Sequence, residues 1–263
     1  MAGARRRGPG LGGLRQRGAQ RTPTGRTAGG GPAGAAGVTG RPPDVAGPEN
    51  HVRPGPESSR GRSERRGGHM VIAVIGTGFI GGTLGRALSE SGHAVRFGSR
   101  HPGDDDVARG TAAVVVPVAE ALEGADVVIL AVPADAVADV ATEHAAALEG
   151  RLVIDATNKM GGTVTNGRGD LPAGVRYARA FNTLGGENMA NPVVGGERAD
   201  MFFCCPETDR QTVEAVIEGV GLRPVYVGAD QEELLDALLR LWIDLAVTQG
   251  RGRRLAFRLL EGD

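Results

Sequence analysis

One segment constrains this chain more than any other. Residues 71–102, VIAVIGTGFIGGTLGRALSESGHAVRFGSRHP, read as a strand, a glycine turn, a helix and a second strand, closed by a Ser-Arg pair. Gly76, Gly78 and Gly81 fill a G-x-G-x-x-G pattern directly after the apolar run. In that pattern the first glycine makes a tight turn, the second lets backbone approach a pyrophosphate, and the third lets the helix pack close to the strand. The helix N-terminus then offers free N–H groups and a positive dipole end to phosphate. Gly76, Thr77, Gly78, Phe79, Ile80 and Gly81 are therefore the expected dinucleotide-binding residues.

The end of the second strand (94–97) selects the dinucleotide. NAD-selective folds carry Asp or Glu there, accepting from the adenine-ribose hydroxyls. This chain has Gly98-Ser99-Arg100. A hydroxyl beside a guanidinium complements a 2′-phosphate, because arginine presents a charged fork of donors to phosphate oxygens. NADP is the expected cofactor, held by Ser99 and Arg100. Asp104, Asp105 and Asp106 follow closely, and an acidic run would repel a phosphate unless it points away.

Composition divides the chain in two. Residues 1–69 hold 13 arginines against 4 acidic residues and no aromatic residue, while the remainder carries a net charge of −10. A segment so poor in apolar groups cannot offset its chain entropy, so a disordered Arg/Gly/Pro-rich tail is expected over 1–69. Arginine clusters attract nucleic-acid phosphate, but no aromatic is interleaved for stacking, so nucleic acid is not an expected partner. Residues 70–263 suffice for one α/β domain. No apolar run reaches membrane-spanning length and no signal-peptide core precedes the fold, so a cytoplasmic location is expected. Cys204 and Cys205 are adjacent in an apolar run and read as buried strand residues. The five histidines show no ligand spacing, and no metal site is expected.

Strands alternating with helical stretches predict parallel strands with crossover helices, a Rossmann doubly wound sheet. Strands are expected at 113–116, 126–132, 152–155 and 178–181, with a helix at 118–122. A strand at 201–205, a helix at 208–220 and a strand at 223–227 read as the sheet continuing. Residues 232–260 read as a C-terminal helical extension. Its stripe of Leu234, Leu235, Leu238, Leu241, Trp242 and Leu245 suits core or a homodimer interface. Trp242 walling the substrate pocket is the sharper alternative. The basic corner at 249–254 reads as a solvated turn, with a phosphate clamp as the alternative.

Ligands of open α/β sheets bind beyond the carboxyl ends of the strands. The loops there supply Ala131, Val132, Pro133, Thr157, Asn158, Asn182, Thr183 and Leu184 around the nicotinamide position. Ala131, Val132, Pro133, Thr157 and Asn158 are expected to contact the cofactor itself. No Ser-His-Asp order, paired carboxylates or tyrosine-lysine couple appears, and no catalytic residue is assigned. Lys159, the only lysine, lies just past the fifth strand, where it would be a proton donor or merely solvated. A lining of mostly non-titrating groups suits hydride transfer between two cofactors, where the protein positions the carriers. It suits a carbonyl reduction less well.

The stretches VIAVIGTGFIG, GSR at 98–100, AVPADAV at 131–137, DATN at 155–158 and ARAFNTLG at 178–185 resemble the NADP oxidoreductases dependent on coenzyme F420, a deazaflavin. The similarity covers 70–260, and the N-terminal half is also similar to pyrroline-carboxylate reductases. The resemblance implies a Ser99–Arg100 clamp on the 2′-phosphate and a deazaflavin or flavin as second reactant. This chain departs from the family's pattern at Asp104–Asp106, where further basic character is common, and at Lys159, where proline is frequent. A small imine or carbonyl reductase and a non-catalytic NADP sensor remain as alternative functions.

Overall fold

Strand β1 (Val71–Ile75) emerges from the first described residues and runs through the middle of a parallel sheet. The computed structural model describes residues 68–262 apart from 104 and 162–164, so all of the expected tail but Gly68 and His69 lies outside the described residues. Helix α1 (Phe79–Glu90) returns the chain to β2 (Ala94–Ser99), followed by β3 (Val114–Pro117) and α2 (Val118–Leu122). Then come β4 (Val127–Leu130), α3 (Val137–Glu143), α4 (Ala145–Leu148) and β5 (Leu152–Asp155). β6 (Arg176–Arg179) completes six strands in the order β3-β2-β1-β4-β5-β6, the Rossmann α/β order.

Alternating side chains explain why the sheet is covered on both faces. Ile72 and Val74 of β1 point into one core with Leu84 and Leu88 of α1. Ala73 and Ile75 point into the other, with Ala121 and Leu122 of α2, Val137 of α3 and Leu148 of α4. Strands buried on both faces need near-continuous apolar runs, which VIAVI, VVIL and LVID supply.

The second half departs from the sequence expectations in three places. First, the sixth strand ends at Arg179 rather than 181, because Phe181 takes a left-handed conformation, φ 61°, that no strand accommodates. After it come α5 (Gly186–Ala190), the short β7 (Val193–Val194) and β8 (Glu197–Arg198), and β9 (Asp200–Phe203). Second, β9 does not extend the main sheet. It pairs in parallel with β10 (Arg223–Tyr226) across α6 (Arg210–Gly219), and meets β6 only through an antiparallel bridge between Arg179 and Cys204. Third, α7 (Glu232–Ile243) continues as a π-helical turn to Thr248 and stops there. Two left-handed glycines follow, Gly250 (φ 69°) and Gly252 (φ 86°), which end the helix.

Beyond them the chain becomes a strap without regular structure. The Trp242 indole N–H donates to the Leu255 carbonyl (2.8 Å), and the Asp200 N–H donates to the Phe257 carbonyl (3.2 Å). The apolar stripe of α7 splits accordingly. Leu235, Leu239 and Trp242 are buried, while Leu234 and Leu241 stay 52% and 48% exposed.

Candidate active site

The chain reverses its sheet direction between β1 and β4, and the glycine turn sits in that crevice. Gly76 has φ 114°, and a Cβ there would lie 2.5 Å from the Ala131 carbonyl oxygen, so only glycine fits. At Gly81 a Cβ would lie 2.1 Å from the Gly76 carbonyl oxygen. Gly78 is different. Nothing of the protein lies within 4 Å of where its Cβ would stand, so the open side of the turn is free for a ligand.

The first bond of α1 runs from the Gly82 N–H to the Gly78 carbonyl (2.8 Å), and no side chain caps the helix. The N–H groups of Phe79, Ile80 and Gly81 thus precede the ladder, as an anion site requires. Thr77 and Gly78 are exposed, Phe79 is 63% exposed, and Ile80 is half-buried. Across the crevice the Ala131 N–H donates to the Ile75 carbonyl (2.9 Å), which places Ala131, Val132 and Pro133 beside the turn.

Ser99 ends β2, and its Oγ accepts the His101 N–H (3.0 Å). Arg100 is exposed, and among the described residues no carboxylate pairs with it. The acidic run does not compete through Asp106, whose carboxylate forms an ion pair with Arg109 and whose carbonyl accepts from Arg86 (2.8 Å). The end of β2 therefore presents an exposed cation beside a free glycine turn. These features fit a dinucleotide phosphate group.

At the ends of β5 and β6 the polar groups are turned inward instead. Asp155 is fully buried and accepts from the Thr157 N–H (2.8 Å) and hydroxyl (2.7 Å), the Gly167 N–H (2.7 Å) and the Tyr177 hydroxyl (2.7 Å). Burial, then the adjacent Asp155 charge, pushes the Tyr177 phenol far above its ordinary value, so it remains a donor. Arg179, also fully buried, lies 3.4 Å from Asp155 and 3.2 Å from Asp236 of α7. It donates to the Thr157 carbonyl and to Asn158 Oδ1 (3.0 Å). Asp236 also accepts the Thr165 N–H (2.9 Å) and Asn166 Nδ2 (2.9 Å).

This network fixes the loop after β5. Thr157 spends its hydroxyl on Asp155. Asn158, held by Arg179, directs its Nδ2 to the Asn182 carbonyl (3.2 Å). Lys159 is exposed, with its backbone N–H on the Thr165 carbonyl (2.8 Å). Asn182, Thr183 and Leu184 are buried just past Phe181, whose left-handed backbone costs about 1–3 kcal/mol for a non-glycine residue. The next turn closes on the glycine loop, since a Cβ at Gly186 would meet the Phe79 ring at 2.4 Å.

Trp242 lies behind this turn, 3.1 Å from a Cβ at Gly185, and backs the segment rather than walling an open pocket. The basic corner is a tether. Arg253 pairs with Glu187 (2.6 Å), and Arg254 donates to the carbonyls of Glu187, Asn191 and Val193 (each 2.8 Å).

Residues 71–159 match the family described as NADP oxidoreductase, coenzyme F420-dependent. That match spans the glycine crevice and ends at Lys159, four residues past β5. The chain is 27% identical, over 72% of its length, to the glycerol-3-phosphate dehydrogenase [NAD(P)+] of Pseudomonas fluorescens, and spans 61% of that relative. A candidate F420-dependent NADP reductase from Arthrobacter sp. FB24 has the same fold, with a TM-score of 0.61 and 22% identity over 73% of this chain and all of the other. An imine reductase from Bacillus cereus superposes with a TM-score of 0.53 and 16% identity, covering 68% of this chain and 62% of that one. Over residues 71–159 the chain is thus similar to a family of NADP oxidoreductases, and its fold is that of a Rossmann dinucleotide-binding sheet.

Proposed function

We propose that the protein is an NADP-linked oxidoreductase whose second reactant is a deazaflavin, coenzyme F420, or a flavin. The observation that carries the NADP half is Arg100, an exposed cation at the end of β2 beside a turn with room at Gly78. Its guanidinium and the Ser99 hydroxyl would hold the 2′-phosphate, and the N–H groups of Phe79, Ile80 and Gly81 the pyrophosphate. Ala131, Val132 and Pro133 would floor the nicotinamide, with Asn158 at its far side. The nicotinamide supplies hydride transfer when bound. The chain's own part is to orient the ring and exclude water. Among the described residues the buried carboxylates and Tyr177 at this end are spent on one another, and Lys159, exposed just past β5, lies outside that network. That supports a redox carrier over a carbonyl or imine as second reactant.

The test is NADPH oxidation followed by stopped-flow with coenzyme F420, a flavin and a pyrroline-type imine in turn. Oxidation by the deazaflavin or flavin is expected. Turnover with the imine alone would replace this reading with a small imine reductase, and binding without oxidation by any acceptor would make the chain a sensor. The exposed Leu234 and Leu241 on α7 support a homodimer, which light scattering would check.

A further inference from the structure

Asn182 stands apart in its hydrogen bonding. Among the described residues it alone has a side chain with every polar atom buried and unpartnered: neither Oδ1 nor Nδ2 meets a protein group. Its own backbone carbonyl is held by Asn158, which is held in turn by Arg179 and, through it, by Asp236 of α7. The residue before it, Phe181, is buried in a left-handed conformation. Two costly features thus fall on consecutive residues, at the carboxyl end of β6, in a segment whose next turn abuts Phe79 of the glycine loop. A buried group left unsatisfied in a native structure calls for an explanation, and an apolar residue of the same size would remove the penalty altogether.

We propose that the Asn182 carboxamide is a ligand-binding group that reads an amide. A carboxamide offers one acceptor and two donors side by side, so it complements a carbonyl next to an N–H. The proposed function, on which this inference rests, supplies that chemistry from two sources. One is the carboxamide of the nicotinamide, and the other is the pyrimidinedione edge of a deazaflavin or flavin. Because neither atom reaches solvent in this form, engagement requires the 182–184 turn to shift toward the ligand.

The experiment compares the unaltered chain with Asn182→Leu and Asn182→Asp, using adenosine 2′,5′-bisphosphate, NADPH and coenzyme F420 as separate probes. Asn182→Leu should melt no lower than the unaltered chain and bind the bisphosphate equally well, since that probe lacks the nicotinamide. Loss of about tenfold or more in NADPH affinity would assign the amide to the nicotinamide, and the same loss for F420 alone would assign it to the deazaflavin. Unchanged affinity for both would overturn the inference. If Asn182→Leu does not fold, the near-isosteric Asn182→Asp, which loses both donors, decides by the same readings. Failure of the bisphosphate to bind the unaltered chain would instead overturn the NADP reading.

Discussion

The two halves of the sheet's carboxyl edge treat their polar groups in opposite ways. Around β1 and β2 the groups face outward and unpaired: Arg100 has no described carboxylate, the first N–H groups of α1 have no cap, and Gly78 opens onto space. Around β5 and β6 they are buried and turned on one another, with Asp155, Tyr177, Arg179 and Asp236 in one network that leaves the Asn182 carboxamide and Arg179 Nε without a partner. An open half can bind a charged ligand without first breaking anything. A sealed half fixes backbone geometry and presents few titrating groups. Under the proposed function, cofactor recognition falls to the first half and positioning of the reacting rings to the second.

The sharpest way to break this comparison is at the seal. Arg179→Ala leaves two buried carboxylates without their cation and should cost about 3–5 kcal/mol in urea unfolding. A loss under about 1 kcal/mol would mean that the network is not what holds the loop after β5. In the open half, Gly81→Ala should cost about 1–3 kcal/mol, because its Cβ runs into the Gly76 carbonyl, and NADPH affinity should fall with it. Normal affinity would show that the turn has slack.

Lys159→Ala asks whether the sealed half hides a proton donor. Turnover should drop by less than about tenfold, whereas a general acid would be worth roughly 10²–10⁴-fold. The smallest effect concerns the thiols. Burial pushes Cys204 up to about 11 and Cys205 up to about 12, so the native protein keeps protons that the unfolded chain releases from about pH 9. Stability should therefore decline as pH rises above 9. A Cys204→Ala/Cys205→Ala variant should show a flatter slope in urea melts at pH 8 and pH 10.

The open half was legible in the sequence because its chemistry is local. The glycine pattern, the helix behind it and the Ser-Arg pair lie within thirty residues, and β1 and α2 fall at their expected positions, as does β5 in the other half. The sealed half depends on residues brought together from afar, such as Arg179 with Asp236, 57 positions apart. An arginine inside an apolar strand and an aspartate within a leucine-rich helix face were its visible signs, and neither names its partner. Phe181 shows the other limit, since alternation extended the strand through a residue that tertiary packing holds left-handed. The expected turn at 249–254 does end the helix, at Gly250 and Gly252, but the helical reading failed beyond it, where 255–260 form the strap.

The central claim is that the end of β2 reads a 2′-phosphate, and the most direct measurement is NADPH and NADH affinity before and after Arg100→Ala. The unaltered chain should prefer NADPH. The variant should lose about 1.5–3 kcal/mol toward NADPH, the worth of a charged hydrogen bond, while NADH binding stays nearly unchanged. Equal losses for the two cofactors, or an initial preference for NADH, would contradict the account.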